Sequence, residues 1–248
     1  MELHVINLDR RPDRLAAFRS ANPGLAFARF AAVDGAARPR EAWIAEGLIT
    51  PDNEYTAGAI GCAMSHVSLW RRCVAVGRPL CILEDDVVLR GDFPAAAAAV
   101  LAGLPAWDVV CWTWNLDWPL CFLPGEGLPR AWLQTDPYAI RGRFGAFQAG
   151  RAPARPLALI SLAAAACYVV SPAGAARLLQ LCLPLGRVES ELYNDGSTGM
   201  VWFNGGIDVE MSRHYPTLRA FVAMPPLAVA INDLTTSSIR GAFGAPPP

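Results

Sequence analysis

The chain has 248 residues, 53% of them hydrophobic and 17% charged, with a formal net charge of −1. That length supports one good-sized α/β domain or two small ones, and the low charged share excludes a largely disordered chain. The near-neutral balance removes the electrostatic case for nucleic acid as a partner. Every basic residue other than histidine is Arg, which together with abundant Ala, Gly and Pro reads as codon bias, not function. The seven cysteines, Cys62, Cys73, Cys81, Cys111, Cys121, Cys167 and Cys182, include no CxxC pair. They read as small buried hydrophobes in a reducing compartment.

In chain order, "ELHVINL" (2–8) reads as a strand, and Arg11-Pro12 as a turn into a helix. The start of the chain shows no basic region followed by an apolar one, so no signal peptide is expected. "AFARFAAVDG" (26–35) reads as a second strand closing at the Asp34-Gly35 turn. From Gly58 to Val76, Ile60, Met64, Val67, Trp70 and Val74 recur at three or four residues, which predicts an amphipathic helix. Gly77-Arg78-Pro79 breaks it before "LCILEDDVVL" (80–89), a buried strand interrupted by acids. A helix is expected around 93–103 and a strand at 107–114. The apolar stretch 156–170 is interrupted by Ser161 and is shorter than the roughly 20 residues a spanning helix needs. Ser171-Pro172 then supplies an N-cap and a first-turn proline for another helix. Strand–helix alternation over the first two-thirds predicts an α/β domain with a mostly parallel central sheet flanked by helices. Segments 113–156 and 184–206 read as long loops. A single domain over 1–241 and a loose tail at 242–248 are expected, in the cytoplasm, with attachment to the inner face of a membrane left open.

The acids at Glu84, Asp85 and Asp86 pose an energetic question, because a buried unpaired carboxylate costs several kcal/mol. If the strand persists to 86, alternation sends Glu84 and Asp86 to one face and Asp85 to the other. Such a pair at the carboxyl end of a parallel strand suits Mg²⁺ or Mn²⁺ beside substrate phosphate. The alternative is an acidic strand end that caps the next helix. Asn7, Asp9, Arg10, Arg11 and Arg14 crowd the end of the first strand, where Arg suits phosphate or a planar base. In "GAIGCAMSHVSLW", Gly58 and Gly61 permit close backbone approach, and Ser65 and His66 are adjacent. A lone histidine there is more often structural than catalytic.

Taken together, "VINLDRRPDRLAAF", "AAVDG", "GAIGCAMSHVSLW" and "CILEDDVVL", followed by "CYVVSPAGAARLL", "GGIDVEMSRHY" and "PPLAVAINDLTTSSIRG", resemble glycosyltransferase family 25 in order and over residues 4–241. The family includes bacterial lipooligosaccharide and collagen galactosyltransferases. The resemblance implies a GT-A type fold, a UDP-sugar donor (usually UDP-galactose) and inverting transfer to a hydroxyl of a saccharide, lipid-linked or peptide acceptor. It implies Glu84 and Asp86 at the metal, with Asp85 alongside. Asn7, Leu8, Arg10, Arg14, Ser65 and His66 would lie at the nucleotide. Inversion needs a base, and a carboxylate is the usual choice. Asp208 is the first candidate, with Glu210 and Asp117 in reserve; the alternative for Asp208 is a helix N-cap. His214 or Asp233 would complete the metal shell. Trp112, Trp114 and Trp118 would form either an acceptor platform or core packing. Two other readings of the acids stay open, a metal-dependent phosphoester hydrolase and a non-catalytic nucleotide-sugar binding module.

Overall fold

The structure, a computed structural model, describes residues 1–136, 139–140, 142–193 and 200–231. The expected tail, and Asp233 with it, lie outside the described residues.

β1 (Glu2–Asn7) leads into α1 (Pro12–Ala21), which Pro12 opens, and β2 (Ala28–Ala31) follows. Asp34 caps a 3₁₀ turn over Gly35–Ala37, and a short α2 (Arg40–Ala45) precedes α3 (Ala57–Val76). α3 starts where Thr56 accepts a bond from the Ala59 amide at 3.1 Å, and it stops at Gly77, whose φ of 65° suits a residue without Cβ. β3 (Leu80–Glu84) and β4 (Val87–Leu89) are separated by Asp85 and Asp86, so the expected continuous strand is two strands joined at a turn. α4 (Phe93–Ala102) and β5 (Val109–Cys111) stand as the sequence predicts.

The segment 113–156 is not a loop throughout. It carries β6 (Leu120–Leu123), β7 (Ala131–Leu133) and α5 (Phe144–Ala149). The apolar stretch after it forms β8 (Arg155–Ser161) and β9 (Cys167–Val170). α6 (Pro172–Cys182) is capped by Ser171 Oγ, which accepts from the Gly174 amide at 2.9 Å. Segment 184–206 likewise holds a pair of antiparallel strands, β10 (Glu189–Tyr193) and β11 (Met200–Phe203). α7 (Ile207–Ser212), β12 (Ala220–Met224) and β13 (Ala228–Ala230) complete the described chain.

Nine strands form one sheet in the order β2-β1-β3-β9-β5-β12-β8-β6-β7. β1, β2, β3, β5, β6 and β12 run one way and β7, β8 and β9 the other, so one direction predominates. β9 inserts antiparallel between β3 and β5. β4 leaves the sheet and pairs with β13. Alternation along β3 supplies both faces: Leu80 and Ile82 join the core under α3 and α6, while Cys81 and Leu83 join the core under α1 and α4. Trp112 and Trp114 are buried in these cores, Trp112 edge-on to Phe93, so packing and not an acceptor platform explains both. Trp118 is half-buried. All seven cysteines are free thiols. Among the described residues no helix is long and apolar enough to cross a membrane.

Candidate active site

The carboxyl ends of β1, β2 and β3 lie side by side, with Ile6 opposite Glu84 and Asn7 opposite Ala31. Open α/β sheets bind ligands at such ends. A crevice opens there, lined by Asn7, Leu8, Arg10, Arg14, Ser65, Glu84 and Asp85 among others. Asn7, Leu8, Arg10, Arg14, Ser65 and Glu84 are thus brought together from three distant parts of the sequence; Asp85 joins them although strand alternation sends it to the other face, and Asp86 is not among the lining residues. The glycines explain how α3 comes so close. A Cβ on Gly61 would stand 2.5 Å from the Val33 carbonyl oxygen and 2.6 Å from the Gly35 amide nitrogen. Ser65 Oγ fastens the same contact, donating to the Gly61 carbonyl at 2.8 Å and accepting from the Val33 amide at 2.9 Å.

Because the strand ends at Glu84, the acids do not alternate as a strand would place them. Asp85 is buried and turns toward β1, where Asn7 Nδ2 donates to it at 2.6 Å and Arg14 pairs with it at 2.5 Å. Arg14 also reaches Asp86 at 3.5 Å. One cation among the acids is therefore a side chain of the protein itself. Asn7 is held in turn by the Arg29 guanidinium, which donates to its Oδ1 at 3.0 Å. Arg10 pairs with Asp34 at the exposed rim.

Arg14 does not neutralise the whole cluster. Burial, then the Glu84 charge, lift the Asp86 carboxyl to about 7 against the pull of Arg14. About a quarter of the Asp86 side chain remains accessible, so water relieves part of the burial penalty, while the Glu84 repulsion persists. Asp86 Oδ1 is buried and has no hydrogen-bond partner. Two mutually repelling carboxylates, one with an orphaned oxygen, fit a hard divalent cation, which accepts oxygen ligands and offsets their charge.

His66 does not line the crevice. It is fully buried behind Glu84, with Nδ1 2.9 Å from the Tyr168 hydroxyl, which also accepts from Trp70 Nε1 at 2.8 Å. Its Nε2 lies 3.5 Å from Glu84 Oε1. Cys62 Sγ is 4.0 Å from the same oxygen. Sequence reasoning passed over Cys62, Tyr168 and Trp70 because each reads as ordinary core. The available signal was the four-residue spacing of Cys62 and His66, which puts both on one side of a helix.

Asp208 sits in the first turn of α7, whose N-cap is Gly206 and not Asp208. Its carboxyl is raised by burial first, opposed by the Val209 amide, and then by the charge of Glu84, so it faces the same acidic centre. Glu210 faces elsewhere. Asn204 Nδ2 donates to it at 2.5 Å, Arg213 at 2.7 Å, and His214 Nε2 lies 3.1 Å away. Those partners outweigh burial and hold it below the usual carboxylate range. With both oxygens engaged it is a structural anion, which removes the reason for holding it in reserve as a base. The same grouping places His214 with Glu210 and Cys182, not with Glu84. Asp117 is exposed in a turn between β5 and β6.

The crevice is built wholly from the first part of the chain, and that part matches a family model. Residues 1–109 match glycosyltransferase family 25 (LPS biosynthesis protein). The family 25 match covers β1 to β4 and every crevice residue named above, and ends before Asp208. It supports glycosyltransferase activity in general terms. No curated protein matches the chain. Among solved structures, A197 from STIV is similar at 11% identity and a TM-score of 0.37, over 90% of this chain and 81% of that one. Mannose-1-phosphate geranyltransferase from Thermus thermophilus is similar at 17% identity and a TM-score of 0.35, over 74% of this chain and 61% of that one. Neither likeness carries weight for the activity.

Proposed function

We propose that the chain is an inverting glycosyltransferase of GT-A type that moves a sugar, galactose first among candidates, from a UDP-sugar to a hydroxyl. The acceptor would be a glycan, a lipooligosaccharide or a protein. One observation carries this reading: Glu84 and Asp86 face one another's charge at the end of a parallel strand, beside a crevice lined by Asn7, Leu8, Arg10 and Arg14. Glu84 and Asp86 would hold Mn²⁺ or Mg²⁺, which when bound supplies positive charge to the diphosphate leaving group. Arg14 is anchored by Asp85 and lies at the same wall, from which it would face the diphosphate. Asp208, a half-buried acid whose carboxyl is raised above its ordinary value by burial and by the Glu84 charge, would accept the proton of the acceptor hydroxyl. The acceptor oxygen then bonds to the anomeric carbon as the bond to the diphosphate oxygen breaks, and UDP leaves from the opposite side.

Calorimetric screening of UDP-sugars with and without Mn²⁺ tests the reading. UDP-galactose is expected to bind in a Mn²⁺-dependent way. Asp86→Asn should abolish that dependence and the transfer while circular dichroism stays unchanged. Failure of every nucleotide sugar to bind, with or without metal, overturns it.

A further inference from the structure

α3 presents Cys62 and His66 four residues apart on one side, and Glu84 meets them from the end of β3. Cys62 Sγ, His66 Nε2 and a Glu84 carboxylate oxygen all lie within 4.8 Å of one another. A tetrahedral ion with bonds of about 2.0–2.3 Å to nitrogen, oxygen and sulfur sets its ligand atoms roughly 3.3–3.8 Å apart. His66 Nε2 is 3.5 Å from Glu84 Oε1, inside that range, and Cys62 Sγ at 4.0 Å is just beyond it.

A second observation is independent of the clustering. His66 is fully buried, yet its Nε2 has no hydrogen-bond partner. The ring is held from the other side, because Nδ1 lies 2.9 Å from the Tyr168 oxygen. That oxygen has two lone pairs and uses one for Trp70 Nε1–H. In the tautomer that carries its proton on Nδ1 the other lone pair accepts it and the Nε2 lone pair faces Cys62 and Glu84, and metal binding selects that tautomer. A hydrogen bond on the far nitrogen is the usual way in which a metal-bound histidine is oriented.

We propose that Cys62, His66 and Glu84 form a seat for a borderline divalent ion such as Zn²⁺. Its sulfur, nitrogen and oxygen donors distinguish it from the all-oxygen pair of Glu84 and Asp86. Three protein ligands leave a fourth position open. Binding displaces the Cys62 thiol proton to solvent. Because Glu84 belongs to both seats, Zn²⁺ competes with Mn²⁺ at the crevice. The inference rests on the sugar-transfer reading only through this shared residue. The cluster of Cys182, Glu210 and His214 carries no such proposal, since Asn204 and Arg213 already occupy both Glu210 oxygens.

The test is titration of the metal-stripped full chain with Co²⁺ and Zn²⁺. Co²⁺ is expected to bind one per chain with a thiolate-to-metal charge-transfer band and intense visible bands of tetrahedral type. Cys62→Ser should remove the charge-transfer band and weaken Zn²⁺ at least about tenfold, with Cys62→Ala as the second variant should serine disturb the helix face. Cys182→Ser should change neither. Co²⁺ binding without a thiolate band, Zn²⁺ affinity unchanged in both Cys62 variants, or no Zn²⁺ binding at all overturns the seat. UDP-sugar binding in Mn²⁺ is measured in parallel. Its absence in a protein that still shows the Cys62-dependent band removes the sugar-transfer reading and leaves this one standing.

Discussion

Asp86 is lifted to about 7 by burial and by Glu84, against the opposing charge of Arg14 and with Asp85 adding to the repulsion. In the unfolded chain it would ionise near its ordinary 3.8. Between these values the native state holds the proton more tightly, so stability from this group is full below pH 3.8 and is lost as pH rises through about 7. At about 1.4 kcal/mol per pH unit, reduced for its partial exposure, the loss from pH 5 to pH 8 is on the order of 2 kcal/mol. Urea unfolding with a chelator present should show the wild type falling by that amount relative to Asp86→Asn over this interval. Parallel curves for the two proteins would refute the repulsion. At this scale the sequence made Glu84, Asp86, Asn7 and Arg14 legible, because charge beside an apolar strand is conspicuous. It misplaced Asp85, because alternation holds only while the strand lasts. A two-residue turn brings that acid back to Asn7 and Arg14. Cys62 stayed hidden because nothing in a lone cysteine distinguishes a thiol facing acids from one facing leucines.

The contact between α3 and the turn at residues 33–35 sets the width of the crevice, and Gly61 is where it can be tested. In a helix interior, Gly→Ala ordinarily gains up to about 1 kcal/mol. Here the new methyl would meet backbone atoms of Val33 and Gly35 that no side-chain rotation can move aside. Overpacking of this kind costs roughly 1–3 kcal/mol, so the sign reverses and Gly61→Ala should destabilise. It should also weaken nucleotide-sugar binding, since Val33, Gly35, Cys62 and Ser65 all line the crevice. Gly77→Ala, at the far end of the same helix, should lose about 1–2 kcal/mol through its positive φ and leave binding unchanged. Urea titration and calorimetry on both variants separate the effects. A stabilised Gly61→Ala with normal binding would refute the close approach of α3 to residues 33–35. Elements with local signals were readable: the Ser171 cap and the Gly77 stop both stand. β6, β7, β10 and β11 were not, because each is only three to five residues long and lies in a stretch rich in Gly, Pro, aromatic and polar residues that reads as loop. Predominance of one strand direction was legible from strand–helix alternation. The antiparallel insertion of β9 was not, because it depends on which strands become neighbours.

Across the whole molecule, the crevice lies at the carboxyl ends of the parallel strands, and the best-satisfied buried charge lies at the opposite end. Asp108 immediately precedes β5 and is fully buried. It accepts from the Arg219 amide at 2.9 Å, from Arg219 Nη2 at 2.7 Å and from Arg177 Nη1 at 3.0 Å. It thereby ties β5 to the start of β12 and to α6. Burial alone would raise its carboxyl, but the Arg219 bonds and the Arg177 charge outweigh that and hold it below the usual value. The sign is opposite to that of Asp86: stability from Asp108 is present above pH 3.8 and is lost as pH falls through its lower folded value. Asp108→Asn removes the anion that both guanidinium groups bond; those groups are about half exposed and stay solvated, so the cost should be on the order of 1–3 kcal/mol. It should also flatten the acid limb of a stability–pH profile. Nucleotide-sugar affinity, measured by calorimetry on the folded fraction, should be unchanged, because no crevice residue contacts this network among the described residues. Asp86→Asn should show the reverse pattern, with stability kept or raised and metal-dependent donor binding lost. If Asp108→Asn instead weakens donor binding while stability holds, the two ends of the sheet are coupled and the division between them fails.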